Sequence, residues 1–252
     1  MSNPIKPTEI GQNRTGIATS PIGYRQLSEL AGQTSEPDTD ALYTTRLSYS
    51  DEAEPVGTMP PPMKIKGMAK EMMKRMKGET ANVLLDKLGE RLAFERGGAR
   101  LYDALLVKLA ASHAHDPTVT VEAIMEIRDE ELRHAGIVAS ALESLGADPT
   151  AVTPCADVTG VATMGFMQVL TDPKTTLTQC LGTMLNAELS DVAAWELLIE
   201  LADQLGQDAL VADFREAAEA EARHEAQVRE WVRTAVLGQS DVTEDPQGGT
   251  RH

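Results

Sequence analysis

The chain has 252 residues, of which only 4% are aromatic, and its formal net charge at pH 7 is −16. Such an acidic chain lacks the basic face that nucleic-acid binding requires, so we expect no nucleic-acid partner. The sequence has no run of about 20 apolar residues that could span a membrane. It does not open with the pattern of a secretion signal, and we therefore expect a cytoplasmic protein.

Residues 1–62 are rich in Pro, Ser, Thr and Gly and show no repeating apolar face. A segment of this kind cannot bury enough apolar surface to offset the entropy of ordering the chain. The sequence therefore predicts a flexible, largely disordered N-terminal tail.

Residues 63–80 are predicted to form a cationic, Met-rich amphipathic helix. Apolar side chains recur at helical spacing among lysines and arginines: Ile65, Met68, Met72 and Met76. The segment 63–77 could bind a protein partner or an anionic membrane surface, or it could dock on the acidic part of its own chain.

Four long helical patterns follow over residues 81–238, and residues 239–252 are predicted to be a disordered C-terminal tail. Asp and Pro at helix starts and Gly just past helix ends are the expected boundary signals. The predicted helices run from about Asn82 to about Ala111, from after Asp116-Pro117 to Leu145-Gly146, from Asp172-Pro173 to Leu205-Gly206, and from near Asp208 to Leu237-Gly238.

The connections between these four helices predict their arrangement. The first and third connections are short, so each joins an antiparallel helix hairpin. The second, over 147–171, is long, and residues 158–170 within it are predicted to hold a short helix. The sequence therefore predicts an all-α four-helix bundle with one long crossover.

Two Glu-x-x-His motifs occur, one at Glu131 and His134 and the other at Glu221 and His224. Residues three apart on a helix lie on one face, so a carboxylate and an imidazole could hold one metal ion together. Each motif alone is a weak signal, because a solvated Glu beside a surface His would look the same.

The first and third helices each carry a candidate third carboxylate. At an offset of 93 residues, Glu95 aligns with Glu188 and Tyr102 aligns with Trp195, so the two halves look like copies of one hairpin unit. Glu95 and Glu131 each lie about 15 residues from the same turn, which is about 23 Å along a helix. We therefore expect four carboxylates and two imidazoles to converge in the middle of the bundle.

This ligand order resembles the ferritin-like di-iron and di-manganese carboxylate proteins, which include ferritins, rubrerythrins, manganese catalases and di-iron oxygenases. The resemblance covers about residues 83–237 and implies a ferritin-like four-helix bundle. It also implies two outer ligands, two bridging ligands and one imidazole per ion, these being Glu95 and Glu188, Glu131 and Glu221, and His134 and His224.

A site of this kind suits two Fe ions, with Mn as the alternative. The resemblance implies a di-iron oxidoreductase that takes O₂ or H₂O₂ as oxidant and an external electron donor. A leader of about 60 residues disfavours a ferritin-like cage, so we expect a small homo-oligomer such as a dimer. Two alternatives stay open: a di-manganese catalase, and a non-enzymatic iron-binding or storage subunit that docks to a partner shell. Cys155 and Cys180 are too few for a four-cysteine rubredoxin-type iron site, and we expect free thiols rather than a disulfide.

Three further residues have two interpretations each. Tyr102 and Trp195 lie seven residues after an outer Glu, so both should face inward, either as ordinary core or as electron relays. Asp191 lies one turn past Glu188 and could accept a hydrogen bond from a ligand His, or it could be a surface residue.

Overall fold

The computed structural model describes residues 21–31, 39–61, 79–112 and 118–240. The described residues form α-helices and no strands. The helices are α1 (Pro21–Ala31), α2 (Thr39–Glu52), α3 (Glu79–Ala111), α4 (Val121–Ser144), α5 (Pro154–Thr171), α6 (Leu177–Gln204) and α7 (Asp208–Ser240). The predicted cationic helix over 63–80 lies outside the described residues, except for the first two residues of α3.

Helices α1 and α2 lie within the segment that the sequence predicts to be a flexible tail, and both belong to a unit of their own over residues 5–55. None of their described side chains is buried. The prediction missed these two helices because it searched for an apolar face that could build a core, and short helices can form without one. The flexibility of the tail stays a prediction.

The second unit contains α3 to α7, and its described part is the four-helix bundle. Helix α3 packs against α4, and α6 packs against α7, as two antiparallel hairpins. The hairpins meet through α3 with α6 and α4 with α7. Helix α5 forms the crossover between the hairpins and lies on α3. This is the arrangement of a ferritin-like bundle, and the predicted fold class is confirmed.

The predicted starts of two helices need correction. Helix α6 begins at Leu177 rather than at Asp172-Pro173, because Thr176 forms a capping box with Gln179. In this box the Thr hydroxyl accepts from the Gln backbone N–H, and the Gln side chain accepts in return from the Thr backbone N–H. Helix α4 likewise begins with Thr120 as its N-cap. Both threonines are good N-cap residues, but the Asp-Pro pairs upstream are equally typical helix starts.

The predicted ends of α4 and α6 are confirmed at Gly146 and Gly206. Both glycines have positive φ, 80° and 65°. Such a left-handed residue ends a helix by turning the next N–H groups back to its last carbonyls. Helix α3 begins two residues before the predicted bundle boundary at residue 81, and α7 ends two residues after its predicted end at residue 238.

The crossover helix α5 extends the short helix predicted over 158–170 to 18 residues. Thr153 caps it by accepting a hydrogen bond from the backbone N–H of Ala156, and Pro154 follows at the first helical position. A Cβ on Gly89 of α3 would overlap the side chain of Thr153. Gly89 therefore allows this end of α5 to approach α3.

The apolar core of the bundle is divided into two clusters. One cluster is built around Leu88, Val138, Trp195 and Phe214. The other is built around Tyr102, Leu105, Leu181 and Trp231. Neither cluster contains the six side chains of the Glu and His motifs. No helix among the described ones is long and apolar enough to cross a bilayer.

Candidate metal centre

The six side chains singled out in the sequence come together between the two apolar clusters. Each of the four bundle helices contributes, with one Glu from α3, one from α6, and a Glu-His pair from each of α4 and α7. All six are at most 4% exposed: Glu95, Glu131, His134, Glu188, Glu221 and His224. Buried carboxylates are costly unless they are paired or bound to a cation. Their convergence on one level is the first indication of a metal centre.

The donor atoms form three overlapping groups. In one group Glu95, His134 and Glu221 offer atoms that lie within 4.8 Å of one another. In another group Glu188 and His224 join Glu221 and Glu131 within the same distance. In the third group Glu95, Glu131, Glu221 and Asp191 lie within that distance, so Glu221 belongs to all three groups and Glu131 to two.

The two imidazoles face the same carboxylate. Nδ1 of His224 lies 3.1 Å from Oε2 of Glu221. Nδ1 of His134 contacts the other oxygen, Oε1, of Glu221. The two rings are stacked with their centroids 5.9 Å apart. A carboxylate placed between two imidazoles in this way can bridge two ions.

The two outer carboxylates are held crosswise by the aromatic residues of the opposite hairpin. Tyr102 on α3 donates a hydrogen bond to Oε1 of Glu188 on α6 at 2.5 Å. Trp195 on α6 donates to Oε1 of Glu95 on α3 at 2.8 Å. Both aromatic residues therefore face inward as predicted. Their hydrogen bonds position the carboxylates, and a role in electron transfer stays a prediction.

Several carboxylate oxygens at the centre are buried without a hydrogen-bond donor. Among the described residues, no donor reaches either oxygen of Glu131 or the Oε2 oxygens of Glu95 and Glu188. Buried polar atoms normally have partners, and an ionised carboxylate only accepts, so once these groups have lost their protons their oxygens fit a cation. This donor set of carboxylates with one imidazole per position suits Fe or Mn.

Gly98 provides the space in which Glu131 lies. A Cβ added at Gly98 would overlap the Glu131 carboxylate, whereas one added at Gly97 would meet nothing within 4 Å. Gly98 was not singled out from the sequence, because a glycine inside a helix gives no local sign of what it lies against.

The metal-free centre holds protons on its carboxylates. Burial raises the pKa of Glu188 to about 8, with a further rise from the neighbouring Glu221. Burial raises the pKa of Glu95 to about 7, although the charge of Arg91 opposes the rise. Burial and the negative charge of Glu221 also hold the pKa of Glu131 well above its usual range. A cation that enters must displace these protons.

Glu221 behaves in the opposite way. Burial alone would favour its neutral form, but hydrogen bonds from His134 and His224 outweigh burial and lower its pKa to about 2. Correspondingly, burial acts to lower the pKa of His224, and the hydrogen bond and charge of Glu221 raise it to about 9. In the metal-free chain, Glu221 is thus ionised, and both imidazoles contact its carboxylate.

Asp191 is buried, but it does not pair with a ligand imidazole as one interpretation of the sequence suggested. Its Oδ1 lies 2.9 Å from Nη1 of Arg91. Nε of Arg91 lies 2.9 Å from Oε1 of Glu95. The guanidinium is only 2% exposed and joins two acids of opposite hairpins. Sequence reasoning missed Arg91, since an arginine four residues before a Glu on a helix is commonly a surface pair.

The partner of a ligand imidazole is Glu130 instead. Nε2 of His224 lies 2.6 Å from Oε2 of Glu130, so the ring N–H donates to this carboxylate. Burial favours the neutral acid, but the hydrogen bond and charge of His224 lower the pKa of Glu130. The signal that could have found Glu130 was its place directly before Glu131, on the side of α4 that faces α7.

A cavity of about 220 Å³ opens between α3, α5 and α6. Arg91 lines it together with Phe94 and Phe166, and Lys87 and Glu90 also contribute to its wall. The cavity is partly open to solvent and reaches the buried side chain of Arg91, but none of the six Glu and His side chains of the centre lines it.

No protein-family model matches the sequence, and no curated protein sequence matches it. Among solved structures, the chain is similar to a structure described as a crystal structure of ferritin like, diiron-carboxylate proteins from Bacillus anthracis str. Ames. The two chains are 18% identical, the TM-score is 0.49, and the similarity covers 62% of this chain and 99% of the other.

Proposed function

We propose that this protein binds two iron ions at the centre formed by Glu95, Glu131, His134, Glu188, Glu221 and His224, and that it is an oxidoreductase that takes O₂ or H₂O₂ as oxidant. The observation that carries the proposal is the set of buried carboxylate oxygens without donors, at one level, beside two imidazoles. When bound, two such ions would supply two electrons together to an oxidant.

The residues of the chain have distinct parts in this proposal. Glu221, which lies between the two imidazoles, and Glu131 would hold both ions, and each imidazole would supply one nitrogen to one ion. Tyr102 holds the carboxylate of Glu188 and keeps a proton next to it, because burial raises the pKa of its phenol well above the usual value. The apolar clusters on both sides exclude bulk water from the centre.

The residues around the centre bear on which oxidant can reach it and on where its electrons come from. The six side chains of the centre are at most 4% exposed, which favours a small oxidant over a large organic substrate. The proposal includes an external electron donor, since two free thiols are too few for a four-cysteine iron site. The free state of Cys155 and Cys180 agrees with the predicted thiols.

The decisive experiment begins with metal analysis of the protein as isolated. The protein is then stripped, loaded anaerobically with Fe²⁺ and mixed rapidly with O₂ or with H₂O₂. We expect two ions per chain and oxidation of Fe²⁺ that is much faster than in buffer. Failure to bind two ions would overturn the proposal. Tight binding of Mn²⁺ with breakdown of H₂O₂ and no Fe²⁺ oxidation would instead identify a di-manganese catalase.

The oligomeric state of the iron-loaded protein distinguishes an enzyme from an iron-storage protein. We propose small homo-oligomers such as dimers, with the segment 63–77 available to a protein or membrane-surface partner. Light scattering of the iron-loaded protein, with an iron count, tests this. A cage-sized particle with hundreds of ions would contradict it, and retention of the protein inside a partner shell would favour the docked iron-binding subunit.

A further inference from the structure

We infer that the two metal positions are unequal and that the position of Glu188 and His224 takes the first ion. The inference rests on the proposed function, since it concerns the same centre. It comes from the places at which the two otherwise similar halves of the bundle differ.

The first difference is a carboxylate that hydrogen-bonds to the Nε2 atom of His224, whereas none among the described residues does so for His134. His224 donates from Nε2 to Glu130 at 2.6 Å, and its Nδ1 is thereby turned toward Glu221 and Glu131. A carboxylate behind a ligand imidazole fixes the ring and strengthens its free nitrogen as a donor. Glu130 directly precedes Glu131, and the residue that directly precedes Glu221 in the other motif is Ala220. Ala220 offers no such partner to His134.

The second difference is a buried cation at the other position. Arg91 lies 2.9 Å from Glu95 through Nε. At the same offset of 93 residues that relates Glu95 to Glu188, the counterpart of Arg91 is Met184, which is buried and uncharged. Among the described residues, no Lys or Arg contacts Glu188. Asp191 balances the charge of Arg91, but an ion at the Glu95 position must compete with Arg91 for the carboxylate, and an ion at the Glu188 position meets no such competitor among the described residues.

The donor geometry agrees with these two differences. Glu131, Glu188, Glu221 and His224 form one set that includes the imidazole, whereas the donors around Glu95 divide into two sets, one with His134 and Glu221 and one with Glu131, Asp191 and Glu221. A single set of donors that includes the imidazole, a fixed ring and no competing cation all favour the position of Glu188 and His224. Filling therefore starts at Glu188 and His224, and the ion beside Glu95 and His134 binds second and more weakly.

The test is an anaerobic titration of the metal-free protein with Co²⁺, followed by calorimetry and by the visible spectrum of the bound ion. We expect two resolved steps in the wild-type protein. His134→Ala should keep the tight step and lose the weak one, and His224→Ala should lose the tight step. Two equal steps, or loss of the tight step in His134→Ala, would overturn the inference.

Glu130→Gln tests the cause of the difference. The substitution should weaken the first step by about 10- to 100-fold and leave the second step nearly unchanged. Glu126→Gln is the matched control, because Glu126 lies one turn earlier on α4 and is exposed. Equal effects of the two substitutions on the first step would contradict the assigned role of Glu130.

Arg91→Met replaces the arginine beside Glu95 by Met, the residue at the corresponding position 184 of α6. This substitution should strengthen the second binding step. If this variant does not fold, the two histidine variants still decide the order of filling. A wild-type protein that binds no Co²⁺, Mn²⁺ or Fe²⁺ would refute the proposed function itself. Two ions bound with equal affinity would refute only the inequality.

Discussion

The phenol of Tyr102 lies 2.5 Å from Oε1 of Glu188, across the interface between α3 and α6. This hydrogen bond joins the two hairpins at the centre, and both residues are almost completely buried. Tyr102→Phe would leave that oxygen without its donor. We expect the free energy of unfolding of the metal-free protein to fall by about 1–3 kcal/mol, because a buried acceptor loses its partner. Denaturant titration of the two proteins measures this.

Tyr102→Phe should also weaken metal binding by about 10- to 100-fold, since Tyr102 orients an expected ligand. Trp231→Phe is the control. The Trp231 indole is also buried and donates a hydrogen bond, but its acceptor is the backbone carbonyl of Thr118, away from the centre. That substitution should lower stability without changing metal affinity. Equal metal affinity in Tyr102→Phe and the wild type would refute the positioning role.

Gly98 and Gly97 offer a matched pair of substitutions on α3. Ala in place of Gly98 must push the Glu131 carboxylate from its place, so metal affinity should fall. Ala in place of Gly97 meets nothing and should stabilise the helix by about 0.5–1 kcal/mol. Metal titration and thermal unfolding of both variants test this pair. Unchanged metal affinity in Gly98→Ala would mean that Glu131 is not a ligand.

The stability of the metal-free protein should fall as pH rises from about 5 to about 8.5. The folded state raises the pKa of Glu188 from 4.5 to about 8 and that of Glu95 to about 7. It therefore holds more protons than the unfolded state across this range, and a rise in pH favours unfolding. Glu221 acts in the opposite sense only below its usual pKa of 4.5, because its folded value is about 2. Denaturant titration at a series of pH values measures the slope.

Metal binding should show the converse pH dependence. Ions displace the protons held by Glu95 and Glu188, so the affinity should increase between pH 6 and 8 and protons should be released. Calorimetry in buffers of different ionisation enthalpy counts these protons. Glu188→Gln should release fewer protons than the wild type, whereas Glu126→Gln should release the same number. An affinity that does not depend on pH would contradict the assignment.

Removal of residues 1–55 should leave the thermal midpoint of the metal-loaded bundle within about a degree or two. The helices α1 and α2 bury none of their described side chains. The deletion should stop there, because Met59 and Pro60 are half-buried and belong to the bundle unit. A large drop in midpoint would show that the N-terminal segment stabilises the bundle or an oligomer of it.

Local sequence signals predicted the helices of the bundle well. Apolar periodicity, terminal glycines and connection lengths sufficed for the four long helices and for the ends at Gly146 and Gly206, because these features act within one or two turns. Two starts were misplaced because Asp-Pro pairs compete with the threonine caps Thr120 and Thr176. The choice between such signals depends on the packing of the following helix, which the local sequence does not contain.

The sequence by itself also determined which six side chains would meet, because the two Glu-x-x-His motifs and the two matching Glu residues lie at similar distances from the turns of two helix hairpins. It did not determine their surroundings. The pairing of Arg91 with Glu95 and Asp191, the hydrogen bond from His224 to Glu130 and the space beside Gly98 all join residues of different helices. Such contacts depend on helix rotation and separation, which are set by the packing of the whole bundle, and only the tertiary structure decided them.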